Sequence, residues 1–203
     1  MSYKKLSKRA KGRLIGSLFG DSSIHINHPN SYRYSVTHSA KQKEYLEYKR
    51  DLFSKDLNCE FPAIDHRKKL DHYRFQKCHP VFGSSLYELI YPNNIKTFTR
   101  KAMNFLTNEG IAIWYMDDGS LHTRKNRSVL RLHTCFLNIE EAHIVIDYFS
   151  SRHNINFKIA KQYDKRNGKT YYNVCIYNIA EIKKFMKIVE PYIIVDCMKY
   201  KIL

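Results

Sequence analysis

Three glycines spaced four residues apart, Gly12, Gly16 and Gly20, run through an apolar segment that ends in Asp21. Residues four apart share one helix face, so the helix predicted over 6–20, with Leu6, Leu14 and Leu18 in helical register, carries a stripe without side chains. Each glycine costs a helix interior about 1 kcal/mol relative to alanine. A helix that keeps three of them needs another backbone close by. A matching segment lies in the other half of the chain: Ile111-Ala-Ile-Trp-Tyr-Met-Asp-Asp118-Gly119, like Leu14-Ile-Gly-Ser-Leu-Phe-Gly-Asp21-Ser22, is apolar and ends in an acidic residue. Two like halves, each delivering one carboxylate, suggest a divalent-metal site built for two chemically similar bonds.

The remaining pattern repeats around these two segments. Ser23–His28 and Tyr32–Ser39 alternate as strands about the Pro29-Asn30 turn, and an amphipathic helix over 41–56 turns Tyr45, Leu46, Leu52 and Phe53 inward. A strand pair near Phe61–Ile64 and His72–Cys78 and helical pieces at 83–91 and 98–107 follow. The second pass predicts a helix over 107–117, strands over 119–123 and 129–136, and a helix over 140–152. Strands over 156–163 and 171–177 then flank the Lys165-Arg-Asn-Gly168 turn, and a helix over 180–190 ends the pass. In both passes a strand containing a histidine, His38 or His133, runs into a helix at a similar distance from the acidic motif. The expected fold is α+β: two pseudo-symmetric αββαββα halves, 1–105 and 106–203, each with a twisted antiparallel sheet.

Lys and Arg number 35 against 19 Asp and Glu, a formal net charge of +16 spread through both halves. Such an excess points to a polyanionic partner, because Lys and Arg neutralise phosphates and release counterions. Hydrophobic content of 43% excludes a disordered tail protein. No apolar run approaches the ~20 residues of a membrane span, so no membrane is expected as a partner. The cysteines, Cys59, Cys78, Cys135, Cys175 and Cys197, are odd in number and unpaired as CxxC, which argues for a reducing compartment. The N-terminal Met1-Ser-Tyr-Lys-Lys-Leu-Ser-Lys-Arg9 is basic but lacks the apolar core of a secretory signal. Abundant Lys, Asn, Ile and Tyr suit an AT-rich genome. The expected location is an organelle (mitochondrion or chloroplast) or a phage or bacterial cytoplasm, not the exterior. His25 and His28 are the closest histidines, and no four-ligand zinc spacing follows from them.

Across Leu106–Ser120, above all Trp114-Tyr-Met-Asp-Asp-Gly119, the chain resembles the LAGLIDADG homing endonucleases in their single-chain form with two motifs. Tyr91-Pro-Asn-Asn-Ile-Lys96 fits the same subfamily, as do Glu190-Pro-Tyr-Ile-Ile194 and Met198-Lys-Tyr-Lys201, so the resemblance runs essentially the whole chain. Two positions depart from the motif: Ser22 stands where it ends in Gly, and Ile113 replaces the Gly of the second copy. Both leave the acidic position intact. Tyr115-Met-Asp-Asp118 is also a reverse-transcriptase string, but here it closes an apolar helical segment with a counterpart in the first half, and 203 residues cannot house a polymerase.

The resemblance implies a monomeric, intron-encoded homing endonuclease that hydrolyses one phosphodiester on each strand of a long asymmetric DNA site and leaves short 3′ overhangs. Its cofactor would be Mg2+, with Mn2+ able to substitute and Ca2+ supporting binding without cleavage. The motif helices would pack through small residues such as Gly16, Gly20 and Ala112. Asp21 and Asp118 would be the catalytic metal ligands, with the carbonyls of Gly20 and Asp117 as further ligands. A carboxylate at a helix C-terminus is disfavoured without a cation beside it, and magnesium takes carboxylate, phosphate and water oxygens. Lys96 and Lys201 map to the basic residues that support transition-state charge, with Lys101 and Lys199 as the alternatives in a shifted register.

The two sheets would form a saddle in the major groove. Arg33, Ser35 and Thr37, then His72, Arg74 and Gln76, are residues of base-reading type on the first-half strands. In the second half the equivalents are His122, Arg124, Arg131, His133, Lys158, Gln162 and Asn173. Two other readings share the fold: a maturase that binds structured intron RNA, and a DNA-binding regulator that does not cut. The presence of both acidic residues favours cleavage.

Overall fold

The computed structural model describes residues 3–124, 127–134 and 138–202. Helix α1 (Lys8–Phe19) begins at Ser7, whose side-chain oxygen accepts the Ala10 amide and so satisfies one free N–H of the first turn. Strands β1 (Ser22–His28) and β2 (Ser31–Ser39) form a hairpin, followed by α2 (Lys43–Leu57), β3 (Asp65–Arg67), β4 (His72–Cys78), α3 (Ser84–Ile90) and the short α4 (Arg100–Met103). The order then recurs: α5 (Asn108–Asp118), β5 (Gly119–Arg124), β6 (Arg127–Leu132), α6 (Ile139–His153), β7 (Lys158–Asp164), β8 (Lys169–Ile176) and α7 (Ile179–Val189). A 3-10 segment, Asp196–Lys201, ends the chain's regular structure.

Each half forms one four-stranded antiparallel sheet, ordered β1-β2-β4-β3 in the first and β5-β6-β8-β7 in the second. The order is the same in both, so the expected α+β architecture with pseudo-two-fold halves is the one observed. Helices α2 and α6 also correspond: both are 15 residues long, and both stop at an asparagine in the left-handed region, Asn58 and Asn154. The inward faces of the sheets bury Ile24, Tyr34, Val36 and Phe75 in one half and Leu130, Leu132 and Val174 in the other.

At the centre, α1 and α5 lie side by side in the same direction. A Cβ on Gly16 would meet the Gly110 carbonyl oxygen at 2.0 Å, and one on Gly110 would meet the Gly12 carbonyl oxygen at 2.2 Å. The glycine stripe therefore accepts the neighbouring backbone directly. On the second helix the closest approach is made by Gly110, not by Ala112, which is buried. Every residue of Ile111–Met116 is buried, as expected for a helix apolar on all sides and covered by both halves. The departure at Ser22 has a local reason. Ser22 joins the hydroxyls of Ser17 and Tyr34 in a buried cluster. A Cβ on Gly119, by contrast, would lie 2.0 Å from the Tyr115 ring.

Some expected boundaries shift. The strand expected near Phe61–Ile64 forms instead at Asp65–Arg67. Pro62 has no N–H for a ladder, and Phe61 is drawn into the core against Phe75 and Tyr34. The helical piece expected over 98–107 contracts to Arg100–Met103. The strand expected over 129–136 begins at Arg127 and ends at Leu132, and Cys135 and Phe136 lie outside the described residues. Cys59, Cys78, Cys175 and Cys197 are free thiols, whereas Cys135 is not described. Among the described residues no helix is long and apolar enough to cross a membrane.

Candidate active site

The two central helices carry their acidic residues to one place. Asp21, Asp118, Gly20, Lys96, His133 and Thr134, with Phe19 and Phe98, line a cavity of about 210 Å³. Desolvation at the cavity wall, then the neighbouring Asp117 carboxylate, pushes the Asp21 carboxyl up to about 6, although its side chain is still 36% exposed. Asp118 is pushed to about 7 by burial and by the charges of Asp21 and Asp117. Lys96 and Lys201 lie among these carboxylates, yet desolvation holds both ammonium groups below the usual lysine range.

The lysines are placed with matching symmetry. Lys96 Nζ donates to the Gly20 carbonyl oxygen at 2.9 Å. Lys201 Nζ donates to the carbonyl oxygens of Asp117, at 3.3 Å, and Met116. Tyr115 fixes the Lys201 backbone by donating its hydroxyl to that residue's carbonyl at 2.6 Å. Each lysine thus sits on the carbonyl just before an acidic residue. The Gly20 and Asp117 carbonyls, expected as metal ligands, are already lysine acceptors in this arrangement.

The donor set fits a hard divalent cation. Desolvation and neighbouring like charge raise both carboxyls above the ordinary carboxylate range, so a cation beside them would be favoured, and both border one cavity. A second grouping, Asp21, His38 and Asp117, brings one possible ligand atom from each within 4.8 Å of the others. It does not suit a metal, because the Asp117 carboxylate is already paired. Lys49 Nζ donates to its two oxygens at 3.0 and 2.8 Å, Tyr45 to Oδ1 at 2.9 Å, and the Asp21 amide to Oδ2 at 3.1 Å. Lys49 and Asp117 are both fully buried at their side chains. His38 lies between the two acids, Nδ1 3.4 Å from Asp21 Oδ2 and Nε2 3.8 Å from Asp117 Oδ1. Desolvation and the Lys49 charge push His38 down to about 4, so its ring is neutral.

His38, Tyr45 and Lys49 were absent from the expected site. Lys49 did carry a signal in the sequence: it falls four residues after Tyr45 and four before Phe53, a lone charge on the apolar stripe of its helix.

The base-reading candidates mostly share one face of each sheet. In the first sheet Ser35 pairs Gln76, Thr37 pairs Arg74, Arg33 pairs Cys78 and Ser39 pairs His72, so all six candidates face one way. Ser23 and His25, opposite Ser35 and Arg33, join them. Asp65 holds the Arg74 guanidinium at 3.3 Å. In the second sheet Arg131, Lys158, Gln162, His122 and Arg124 occupy the corresponding register.

Two candidates sit differently. Asn173 is only 1% exposed and donates its amide to Gln162 Oε1 at 3.0 Å, so it backs a neighbour instead of meeting solvent. His133 lies beyond the end of β6, where its amide donates to the Asp118 carbonyl at 2.8 Å and its Nε2 contacts Ser120 Oγ at 2.9 Å. It borders the acidic cavity, and burial lowers its pKa.

This pairing of two sheets with two central acid-bearing helices is the architecture of the single-chain homing endonucleases. The structure of homing endonuclease I-WcaI bound to its DNA recognition sequence superposes with a TM-score of 0.75 at 25% identity, covering 99% of this chain and 90% of that one. I-DmoI in complex with DNA and Ca shares the fold at a TM-score of 0.52 and 16% identity, over 94% and 92% of the two chains. The sequence profile of the LAGLIDADG DNA endonuclease family matches residues 11–180, and the chain belongs to that family. The probable intron-encoded endonuclease 1 of Wickerhamomyces canadensis is 28% identical over 222 residues, which cover 99% of this chain and 88% of that protein. Protein RecA of Mycolicibacterium chitae is 26% identical over 211 residues, 98% of this chain and 47% of that one. The chain spans about half the length of the RecA relatives it matches.

Proposed function

We propose that this chain is a monomeric, sequence-specific endonuclease of double-stranded DNA that cuts one phosphodiester on each strand of a long asymmetric site, leaving short 3′ overhangs. The observation that carries the reading is the meeting of Asp21 and Asp118 at one cavity, with Lys96 and Lys201 on the preceding carbonyls. Asp21 and Asp118 would hold Mg2+, and Mn2+ would be able to take its place. When bound, such an ion would supply charge neutralisation at the scissile phosphate and a lowered pKa for an attacking water. Lys96 and Lys201 place positive charge beside the developing negative charge of each phosphate. His133 borders the cavity and provides a ring that can orient a water, while His38, buried against Asp21, backs the acid from behind. The halves 1–105 and 106–203 each present one polar sheet face to the major groove, Arg33, Ser35, Thr37, Arg74 and Gln76 from one and His122, Arg124, Arg131, Lys158 and Gln162 from the other. Their sequences differ, so the site they read is asymmetric.

The test is cleavage selection from a randomised duplex library with Mg2+, beside a Ca2+ control and the Asp21→Asn/Asp118→Asn variant. One long asymmetric site cut only by the wild type with Mg2+ supports the reading. Enriched binding without cutting would replace it with a regulator, and absence of DNA enrichment would point to intron RNA.

A further inference from the structure

Gly20 and Asp117 hold equivalent places in the two motifs, each directly before the acidic residue. A Cβ on Gly20 would lie 2.3 Å from the Asp117 Cβ, so the two positions cannot both carry a side chain. The helices end differently to match. Helix α1 stops at Phe19, leaving the Asp21 amide outside the helical ladder, whereas α5 continues through Asp118. Asp117 Oδ2 accepts that stray amide at 3.1 Å. Lys49 and Tyr45, both from α2, fix the carboxylate in turn.

Among the described residues the other half has no such clamp. Aligning the 15-residue α2 and α6 on their asparagine ends places buried Val145 opposite Lys49 and Glu141 opposite Tyr45. A buried ion pair carries a large desolvation penalty and is weak evidence of stability. The same position in α6 is filled by an ordinary apolar side chain.

We infer that Asp117, clamped by Lys49 and Tyr45, is a positioning residue for Asp21, and that it makes the two strand cuts unequal. This rests on the endonuclease reading above. The cut served by Asp21 depends on the clamp's hydrogen bond, whereas among the described residues Asp117 reaches Asp118 as a neighbouring charge and not through a side-chain hydrogen bond. The physical route is short: the held amide fixes the Asp21 backbone, and with it the direction of a carboxylate that must meet a phosphate. A misplacement of about 1 Å at such a site costs on the order of 10²-fold in rate.

Two double variants test the inference. Lys49→Met/Asp117→Gly and Lys49→Met/Asp117→Asn both remove the ion pair as a unit, so neither leaves a buried charge alone. Only the asparagine keeps an oxygen able to accept the Asp21 amide. The substrate is the duplex recovered by wild-type selection, labelled on each strand in turn and cut with Mg2+. The glycine variant should slow one strand at least about tenfold relative to the other and accumulate nicked duplex. The asparagine variant should restore the wild-type ratio of the two rates. Equal slowing of both strands, or an asparagine variant as skewed as the glycine one, overturns the inference.

If the wild type cuts neither strand, the endonuclease reading fails, and the clamp is judged without DNA. The Asp21 amide should then exchange with solvent slowly in the wild type and the asparagine variant and fast in the glycine variant. An Asp21 amide already unprotected in the wild type overturns the clamp itself.

Discussion

Gly16→Ala adds one methyl where α1 and α5 touch, 2.0 Å from the Gly110 carbonyl oxygen. Heavy atoms settle at about 3.5 Å, so the helices must part locally by roughly 1.5 Å. In an exposed helix the same change stabilises by about 1 kcal/mol. Here the opposing atom is backbone, with no rotamer to give way, and overpacking of this kind costs about 1–3 kcal/mol. Taking the upper end and subtracting the propensity gain leaves a net loss of about 2 kcal/mol. For a chain of this size each kcal/mol moves Tm by about 2–4 °C, so Tm should fall by about 4–8 °C. Because the same helices carry Asp21 and Asp118, cleavage of a selected target should fall further than the stability loss explains, on the order of 10²-fold. The assay is thermal unfolding of wild type and variant together with their cleavage rates well below either Tm. An unchanged or higher Tm would show that the helices have slack here, and the argument from the glycine stripe would be wrong.

Lys49→Ala strands the Asp117 carboxylate in the core and should destabilise by about 3–5 kcal/mol in urea unfolding, and a loss within error would mean the pair is not buried. The acidic pair gives a pH signature in metal-free protein. The folded-state pKa values of Asp21 and Asp118, about 6 and about 7, lie above the ordinary carboxylate range. Their penalty is therefore absent near pH 3, grows as pH rises and is complete above pH ~7. The Asp21→Asn/Asp118→Asn variant should gain Tm relative to wild type across that window, with Ca2+ closing the gap by stabilising only the wild type. A gap that does not change with pH would refute the crowded-carboxylate account. Affinity for DNA should fall by about 10³–10⁵ between 50 and 200 mM salt if 6–10 phosphates are engaged, and a flat titration would remove the polyanion reading of the +16 charge.

What could be read from the sequence was whatever depends on local period. The glycine stripe announced a close helix pair, and period-two alternation set the face of nearly every strand residue, so Arg33, Ser35, Thr37, Arg74 and Gln76 fall on one surface. Parity gives a face but not a depth, which is why Asn173 proved buried behind Gln162. It also gives no strand end, so His133 falls past β6 and turns to the acids instead of the sheet surface. The fate of Asp117 depends on Lys49 and Tyr45, which meet it only through the packing of the two halves. Next to Asp118 in the sequence, it read as one motif with it. In space the two serve different neighbours.

The single vacancy opposite Asp117 has a consequence for lineage and for engineering. A second half paired with a copy of itself would drive two aspartate side chains into one volume, and a first half paired with a copy of itself would leave two Lys49 ammonium groups without Asp117 to receive them. Neither half can return to a symmetric homodimer by simple separation, and a chimera that imports a foreign half must bring a glycine to face Asp117 or a carboxylate to face Lys49. The interface acts as a mating code one residue deep, discriminating by steric exclusion on one side and by an unmet charge on the other.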